Sequence, residues 1–425
     1  MAEQSKTFCV LPFIHSHASV SGNWKSCCNA FHMDLGKNLY SDNGHTHKTW
    51  FESPRMDLLR KNLLTGVRDD MCSVCWKAED VSGTSIRMRY NNGDKFADAI
   101  KKIDVDKPKI QYLDLKISNE CNLKCRMCDY TNSHKLLEDV VAIENDEELD
   151  LPIEWHRSPK HEIVINDIGI KSMPDRIVDE ITEELLPNLR VLKVTGGEPL
   201  VQKQVLDLFK VCVEKDYAKN IDLHITTNGT KFTKKFMEGI KTFRKASFNI
   251  SCDGYGKVYD YIRYPFNWTK FSQRVTEAVE VSSQSNNLGH ITICPVAQMY
   301  NIENLHELQK WSIKLSENHG HRVEFFSNTF LQPLSSYNSL RNVPCDILEE
   351  ARERLVENQN TTTLLGYIDN LVKDKKSGKI VIDEKIEKLI YKSVRAKDKV
   401  RNQRFSDFVG PRTSKWLEGI FKKYA

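Results

Sequence analysis

The sequence predicts an α/β fold: a partial (β/α)6 barrel, preceded by a small cysteine-rich region and followed by a helical extension. Two observations carry this expectation. Between about residues 109 and 330, six short strand-like runs (111–118, 190–195, 221–227, 247–252, 290–296 and 322–327) alternate with helical patterns such as Phe271, Val275, Ala278 and Val279. Such alternation argues for a parallel sheet with helices on its outer face, and right-handed crossovers curl six units into a partial barrel. The second observation is strand phase. Leu113, Leu115 and Ile117 alternate with Asp114 and Lys116, and Leu192 and Val194 with Lys193 and Thr195. Leu223 and Ile225 alternate with His224 and Thr226, Phe248 and Ile250 with Asn249 and Ser251. Ile291 and Ile293 alternate with Thr292 and Cys294, Val323 and Phe325 with Glu324.

The apolar set must face the helices, which leaves the polar set on the inner face. A purely structural barrel fills its interior with branched apolar side chains. An interior with Asp114, Lys116, Lys193, His224, Asn249 and Glu324 instead suits a polar cofactor and substrate, with about half of these groups serving only as buried pairs.

At 425 residues the chain holds one large domain and one or two small ones. The start MAEQSKTFCVLPF has no secretory pattern and no apolar run spans a bilayer, so a cytoplasmic protein is expected, with no membrane partner. Twelve cysteines in that setting read as reduced thiols and metal ligands. The net charge of +4 is uneven: 16 Lys and Arg face 7 Asp and Glu from Lys373 onward. That basic tail reads as the solvated face of terminal helices, and it keeps nucleic acid open as a partner.

After the first strand comes CNLKCRMC, placing Cys121, Cys125 and Cys128 on one loop. A cubane [4Fe–4S] cluster has four irons, so three protein ligands leave one iron open for chemistry. A zinc knuckle would draw paired ligands and close at four, and only His134 lies nearby, in the next expected helix. After the second strand comes Thr195-Gly196-Gly197-Glu198-Pro199.

Together the two stretches resemble the radical S-adenosylmethionine (SAM) superfamily. The resemblance implies a (β/α)6 partial barrel in which SAM binds the open iron through its amino and carboxylate groups. Reductive cleavage then gives methionine and a 5′-deoxyadenosyl radical, which takes hydrogen from substrate. It further implies catalytic roles for Cys121, Cys125 and Cys128, and SAM contacts from Gly196, Gly197 and Glu198. ITTNGT resembles the third-strand end and makes Asn228 a candidate near the cofactor. NISCDG and DYIRYP resemble segments that offer a hydroxyl and an arginine to SAM, here Ser251 and Arg263. An aromatic residue often precedes the third cysteine in that superfamily; here it is Met127, which can also pack on a ring.

A second set lies at the N-terminus: Cys9, Gly22 and Cys27 in the spacing C-x12-G-x4-C, then Cys72 and Cys75 in MCSVCW. With Leu11-Pro12-Phe13, His15 and Trp24, it resembles the auxiliary-cluster region of the SPASM/twitch subgroup. The resemblance implies a second [4Fe–4S] cluster closed by Cys9, Cys27, Cys72 and Cys75. In the subgroup this region follows the barrel, whereas here it precedes it. Cys28 is an alternative to Cys27, and a four-cysteine zinc site fits the same spacing. Cys212, Cys252 and Cys345 read as core residues, while the strand phase of Cys294 turns it inward.

The expected organisation is residues 1–108 for the auxiliary region, 109–330 for the barrel and 331–425 for a basic helical extension. That extension includes EKIEKLIYKSVRAKDKVRNQRF, which with Asp398 and Arg401 is similar to C-terminal helices of twitch-type proteins. An acidic stretch, Glu144, Asp146, Glu147, Glu148 and Asp150, lies in a long excursion after the first strand. No module large enough to bind a leader peptide is expected ahead of Cys9. The expected substrate is a peptide or protein, by analogy with the subgroup; the alternative is a sugar, nucleotide or other small metabolite. A flavodoxin or ferredoxin is the expected electron donor. A metal-binding interaction protein without activity would be marked by a broken triad, and the triad is intact.

Overall fold

The computed structural model describes residues 5–18, 24–30, 46–92, 104–130, 132–149, 169–327, 329–330 and 337–424. Gly22, Asp150 and most of the excursion that follows Asp150 lie outside them. The chain divides into two compact units. Residues 1–118, 171–225 and 242–244 form the first; residues 119–170, 226–241 and 245–425 form the second.

The strands of the first unit are β1 (His15–Ala18), β2 (Trp24–Lys25), β3 (Tyr112–Lys116), β4 (Val191–Thr195) and β5 (Asp222–Thr227). They run in the order β2-β1-β3-β4-β5. β1 and β2 are antiparallel, and every other neighbouring pair in this set is parallel. Leu113, Leu115, Leu192, Val194, Leu223 and Ile225 are buried, as the alternation demands. Helix Lys203–Glu214 buries Val205, Leu208, Phe209 and Cys212, one stripe at helical spacing. Arg60, on helix Pro54–Leu64, donates from Nε to the Pro12 carbonyl at 3.0 Å and from Nη2 to the Phe51 carbonyl at 2.8 Å. These bonds tie the segment before β1 to its covering helix. The sequence set a boundary at residue 108, yet β1 pairs residue for residue with β3.

The second unit carries β6 (Lys245–Ser251), β7 (Leu288–Cys294), β8 (Val296–Ala297), β9 (Val323–Phe325) and β10 (Thr329–Phe330). β6, β7 and β9 form a parallel ladder, and β8 pairs with β10 in parallel. Helix Trp268–Ser283 starts where the Asn267 side chain accepts the Lys270 N–H at 2.9 Å, a standard N-cap. It buries Phe271, Val275, Ala278 and Val279. Helix Leu305–His319 ends on Gly320, whose φ of +59° a side chain would resist. Helices Cys345–Arg354, Thr362–Lys376, Glu384–Arg401 and Pro411–Tyr424 then make up the C-terminal region.

All six expected strands form, at β3, β4, β5, β6, β7 and β9. The α/β class and the helical C-terminal region are those the sequence predicts. No helix among the described residues is long and apolar enough to cross a membrane.

Candidate active site

The three thiols of the CNLKCRMC loop are held within the second unit. Cys121 and Cys125 are buried and Cys128 is half-buried. The loop is fixed to a later segment: the Lys124 N–H donates to the Tyr264 carbonyl at 2.7 Å and the Arg126 N–H to the Ile262 carbonyl at 2.9 Å. Ser133 Oγ donates to the Leu123 carbonyl at 2.6 Å. His134 spends Nδ1 on the Cys121 N–H at 3.2 Å, so its role is to hold the loop's backbone. Met127 packs against the cluster of Cys121, Leu123 and Cys125, as does Phe266.

Electrostatics favour an ionised sulfur at Cys125, while the hydrogen bond to Cys125 and then burial push the Cys128 thiol well up. The Cys128 thiol donates to Cys125 and, with the Arg263 and Arg401 cations, holds Cys125 below the ordinary thiol range against the effect of burial. Asn228 Nδ2 points at Cys121 Sγ across 3.8 Å and donates to Asn122 Oδ1 at 3.0 Å. Asn228 Oδ1 accepts from Thr230 Oγ1 at 2.7 Å and from the Thr230 N–H at 3.0 Å. Asn228 therefore sits beside the triad, in a network that fixes its orientation. Ser251 ends β6, one residue before the CDG turn. Arg263 is buried, with Nε 2.5 Å from Asp253 Oδ2, while Asp253 Oδ1 accepts the Val296 N–H at 2.7 Å. Asp253 thus orients this guanidinium and leaves its terminal nitrogens to other acceptors.

A buried clamp from the C-terminal region completes the loop, and sequence reasoning did not see it. Arg126, between two triad cysteines, is fully buried. Its Nη2 meets Asp398 Oδ1 at 2.5 Å and Gln403 Oε1 at 2.9 Å, and its Nε donates to the Tyr261 carbonyl at 3.0 Å. The guanidinium lies 3.4 Å from the Tyr261 ring centre. Lys397 Nζ donates to the Arg126 carbonyl at 3.2 Å, and Arg401 Nη2 pairs with Asp139 at 2.6 Å. Asp139 also takes Lys124 Nζ at 2.9 Å. The expected solvated face of helix Glu384–Arg401 therefore has buried members, Lys397, Asp398 and Arg401. The outer charges Arg395 and Lys399 meet Asp146 and Glu148 of the acidic stretch.

Within the first unit, Gly196 and Gly197 have φ of +81° and +50°, backbone that favours glycine. A Cβ on Gly196 would stand 2.9 Å from Lys116 Cβ and Cγ. Glu198 is wholly buried and its Oε1 accepts the Leu200 N–H at 3.1 Å, capping the turn that follows.

The N-terminal cysteines also gather in the first unit. Burial pushes the Cys9 thiol well up, and the nearby Cys27, Cys72 and Cys75 sulfurs push it further. Cys27 rises to about 12 through burial, Cys28 and Cys75. Cys72 is raised by burial, then by Cys27 and Cys75. Cys28 turns elsewhere: besides burial, its surroundings are Lys193, Asp114 and Lys116. Mutual repulsion of four sulfurs is what a metal centre relieves, so the donor chemistry fits a thiolate-ligated group at Cys9, Cys27, Cys72 and Cys75. Among the described residues, no three His, Cys, Asp or Glu side chains close on a single ion-sized point.

Of the remaining polar strand positions, Asn249 is exposed and Glu324 pairs with Arg322, the residue just before its strand. Cys294 is half-buried, with its thiol near the Thr292 carbonyl at 3.7 Å. Cys212 and Cys252 are buried, as expected of core residues.

Residues 115–311 match the radical SAM superfamily, and this part of the chain is a radical SAM domain. The GTP 3′,8-cyclase of Nautilia profundicola is 27% identical over 151 residues, 36% of this chain and 37% of that enzyme. The chain thus matches little more than a third of the length of that curated relative. Among solved structures, native anSMEcpe with bound AdoMet is 17% identical with a TM-score of 0.33, covering 63% of this chain and 62% of that one. Streptococcus suis SuiB bound to precursor peptide SuiA is 13% identical with a TM-score of 0.32, covering 73% and 60%.

Proposed function

We propose that the protein is a radical SAM enzyme that abstracts hydrogen from a polar substrate. The observation that carries this reading is the loop of Cys121, Cys125 and Cys128, three thiols held together beside buried cations. A [4Fe–4S] cluster on these sulfurs, with SAM, supplies reductive cleavage to a 5′-deoxyadenosyl radical. The chain's own groups prepare for it. Cys128, Arg263 and Arg401 favour the Cys125 thiolate, and Asn228 offers an N–H to Cys121. Arg263, oriented by Asp253, is the candidate for the SAM carboxylate, with Ser251 as the hydroxyl partner. Gly196, Gly197 and Glu198 are the first unit's candidates for SAM.

Cys9, Cys27, Cys72 and Cys75 are proposed ligands of an auxiliary [4Fe–4S] cluster, with Cys28 outside the set; the four-cysteine zinc reading is its competitor. Four protein ligands would satisfy every iron of that cluster and assign it to electron transfer or substrate positioning. A flavodoxin or ferredoxin is the proposed donor. For the substrate, a peptide or protein remains the reading by analogy. The polar face of the first unit favours the second reading, a small polar metabolite.

The test is anaerobic incubation of reconstituted, dithionite-reduced protein with SAM, reading 5′-deoxyadenosine. Alanine at any one of Cys121, Cys125 or Cys128 is expected to abolish its formation. Undiminished cleavage in any of the three sinks the proposal.

A further inference from the structure

The ladder of the first unit aligns one row of polar residues across five strands. Lys25 on β2 pairs with His17 on β1, His17 with Asp114 on β3, Asp114 with Lys193 on β4, and Lys193 with His224 on β5. Residues directly opposite one another in a sheet share a face, and so does the next residue but one on a strand. Lys116, two places after Asp114, therefore rises from the same face, its stem lying over Gly196.

The row is only partly satisfied from within. Lys193 Nζ meets Asp114 Oδ2 at 2.8 Å. His17 Nδ1 lies 3.4 Å from the same oxygen, too far for a good hydrogen bond. His17 is 5% exposed and Asp114 1% exposed, yet His17 Nδ1 and Asp114 Oδ1 lack hydrogen-bond partners among the described residues. An unmet polar atom in a dry site carries a desolvation cost that a bound group meeting it relieves.

The charges are unbalanced as well. Three ammonium groups, Lys25, Lys116 and Lys193, share this face with one carboxylate, Asp114. Neither Lys25 nor Lys116 has an ion pair with an acid among the described residues. A purely structural ion-pair row would balance its charge.

We propose that this face is a substrate-binding floor for a small anionic molecule. Its carboxylate or phosphate sits between Lys25 and Lys116, and one of its N–H or O–H donors meets Asp114 Oδ1. This deepens the radical SAM reading and rests on it for the claim that the ligand is substrate. The binding itself is independent of that reading.

The test is equilibrium dialysis of the reconstituted holoenzyme against radiolabelled inorganic phosphate, with citrate as the competing carboxylate probe. One saturable site is expected, weakened about tenfold or more in Lys116→Met and in Lys25→Met, since one lost charge pairing of about 1.4 kcal/mol is tenfold. Lys116→Arg should restore most of the affinity. Lys203→Met, on an exposed helix, should bind like the parent. Citrate displacing phosphate at lower concentration assigns the site to carboxylates, and the reverse order to phosphates. The proposal is overturned if neither probe saturates, if Lys116→Met binds as tightly as the parent, or if SAM displaces the probe. No turnover enters the measurement, so a negative result leaves SAM cleavage to its separate test.

Discussion

Removing the Asp398 carboxylate should cost the second unit more than any surface charge. Asp398 Oδ1 receives Arg126 Nη2 at 2.5 Å and the Tyr261 hydroxyl at 2.8 Å, and Oδ2 receives the Phe405 N–H at 2.8 Å. Arg126 has no exposed side-chain surface, so Asp398→Ala strands a buried guanidinium. Breaking a buried pair from one side costs about 3–5 kcal/mol. The orphaned Tyr261 and Phe405 donors add about 1–3 kcal/mol each before relaxation. Because such terms are not additive, about 4–6 kcal/mol is the expected loss. Asp398→Asn keeps an acceptor oxygen but gives up the charge, and should lose about 2 kcal/mol. The assay is anaerobic urea unfolding of the reconstituted protein, followed by circular dichroism. Asp146→Asn, which touches only exposed partners such as Lys399, serves as the control and should stay within about 0.5 kcal/mol. A loss below about 1 kcal/mol for Asp398→Ala, or equal losses for Ala and Asn, refutes the reasoning.

Three further outcomes are expected. Cys27→Ala should remove about four of about eight irons per chain while Cys28→Ala removes none, as read by anaerobic iron and sulfide analysis; equal losses would place both sulfurs at the metal. Gly229→Ala should lower stability by about 2–4 kcal/mol in the same urea assay, because φ is +74° and the new Cβ would meet Phe271 Cε2 at 2.8 Å; an unchanged midpoint would contradict that contact. Burial pulls His15 down to about 4 and His47 to about 3 from 6.5, so both stay neutral in the fold while the unfolded chain protonates near 6.5. Stability should therefore fall as pH drops below about 6.5, by on the order of 4 kcal/mol for His47 alone near pH 3. His47→Gln, which can still bond Ser16 Oγ, should move the acid-unfolding midpoint to lower pH, and an unmoved midpoint would rule His47 out as a source of acid lability.

The strands were legible because each alternates cleanly between an apolar and a polar face, a local signal that survives without partners. The triad was legible for a similar reason, since its three ligands lie within eight residues. β1 and β2 were not. At four and two residues they carry no periodic signal, and HSHA becomes a strand only through pairing with β3. That hid Lys25 and His17, the end of the polar row on β2 and β1; the alternation His15, His17 was the one available hint. Helix Glu384–Arg401 misled in the opposite sense. Its charges have the pattern of a solvated face, but Lys397, Asp398 and Arg401 are buried by partners hundreds of positions away. No window along the chain contains that information.

The grip of Asp398 on Arg126 spans 272 positions of sequence. During translation the cysteine loop leaves the ribosome long before its counter-charge exists. Until residue 398 has emerged, the guanidinium between Cys125 and Met127 has nowhere dry to go. The loop's full set of contacts therefore forms only once the helix bearing Asp398 has been made.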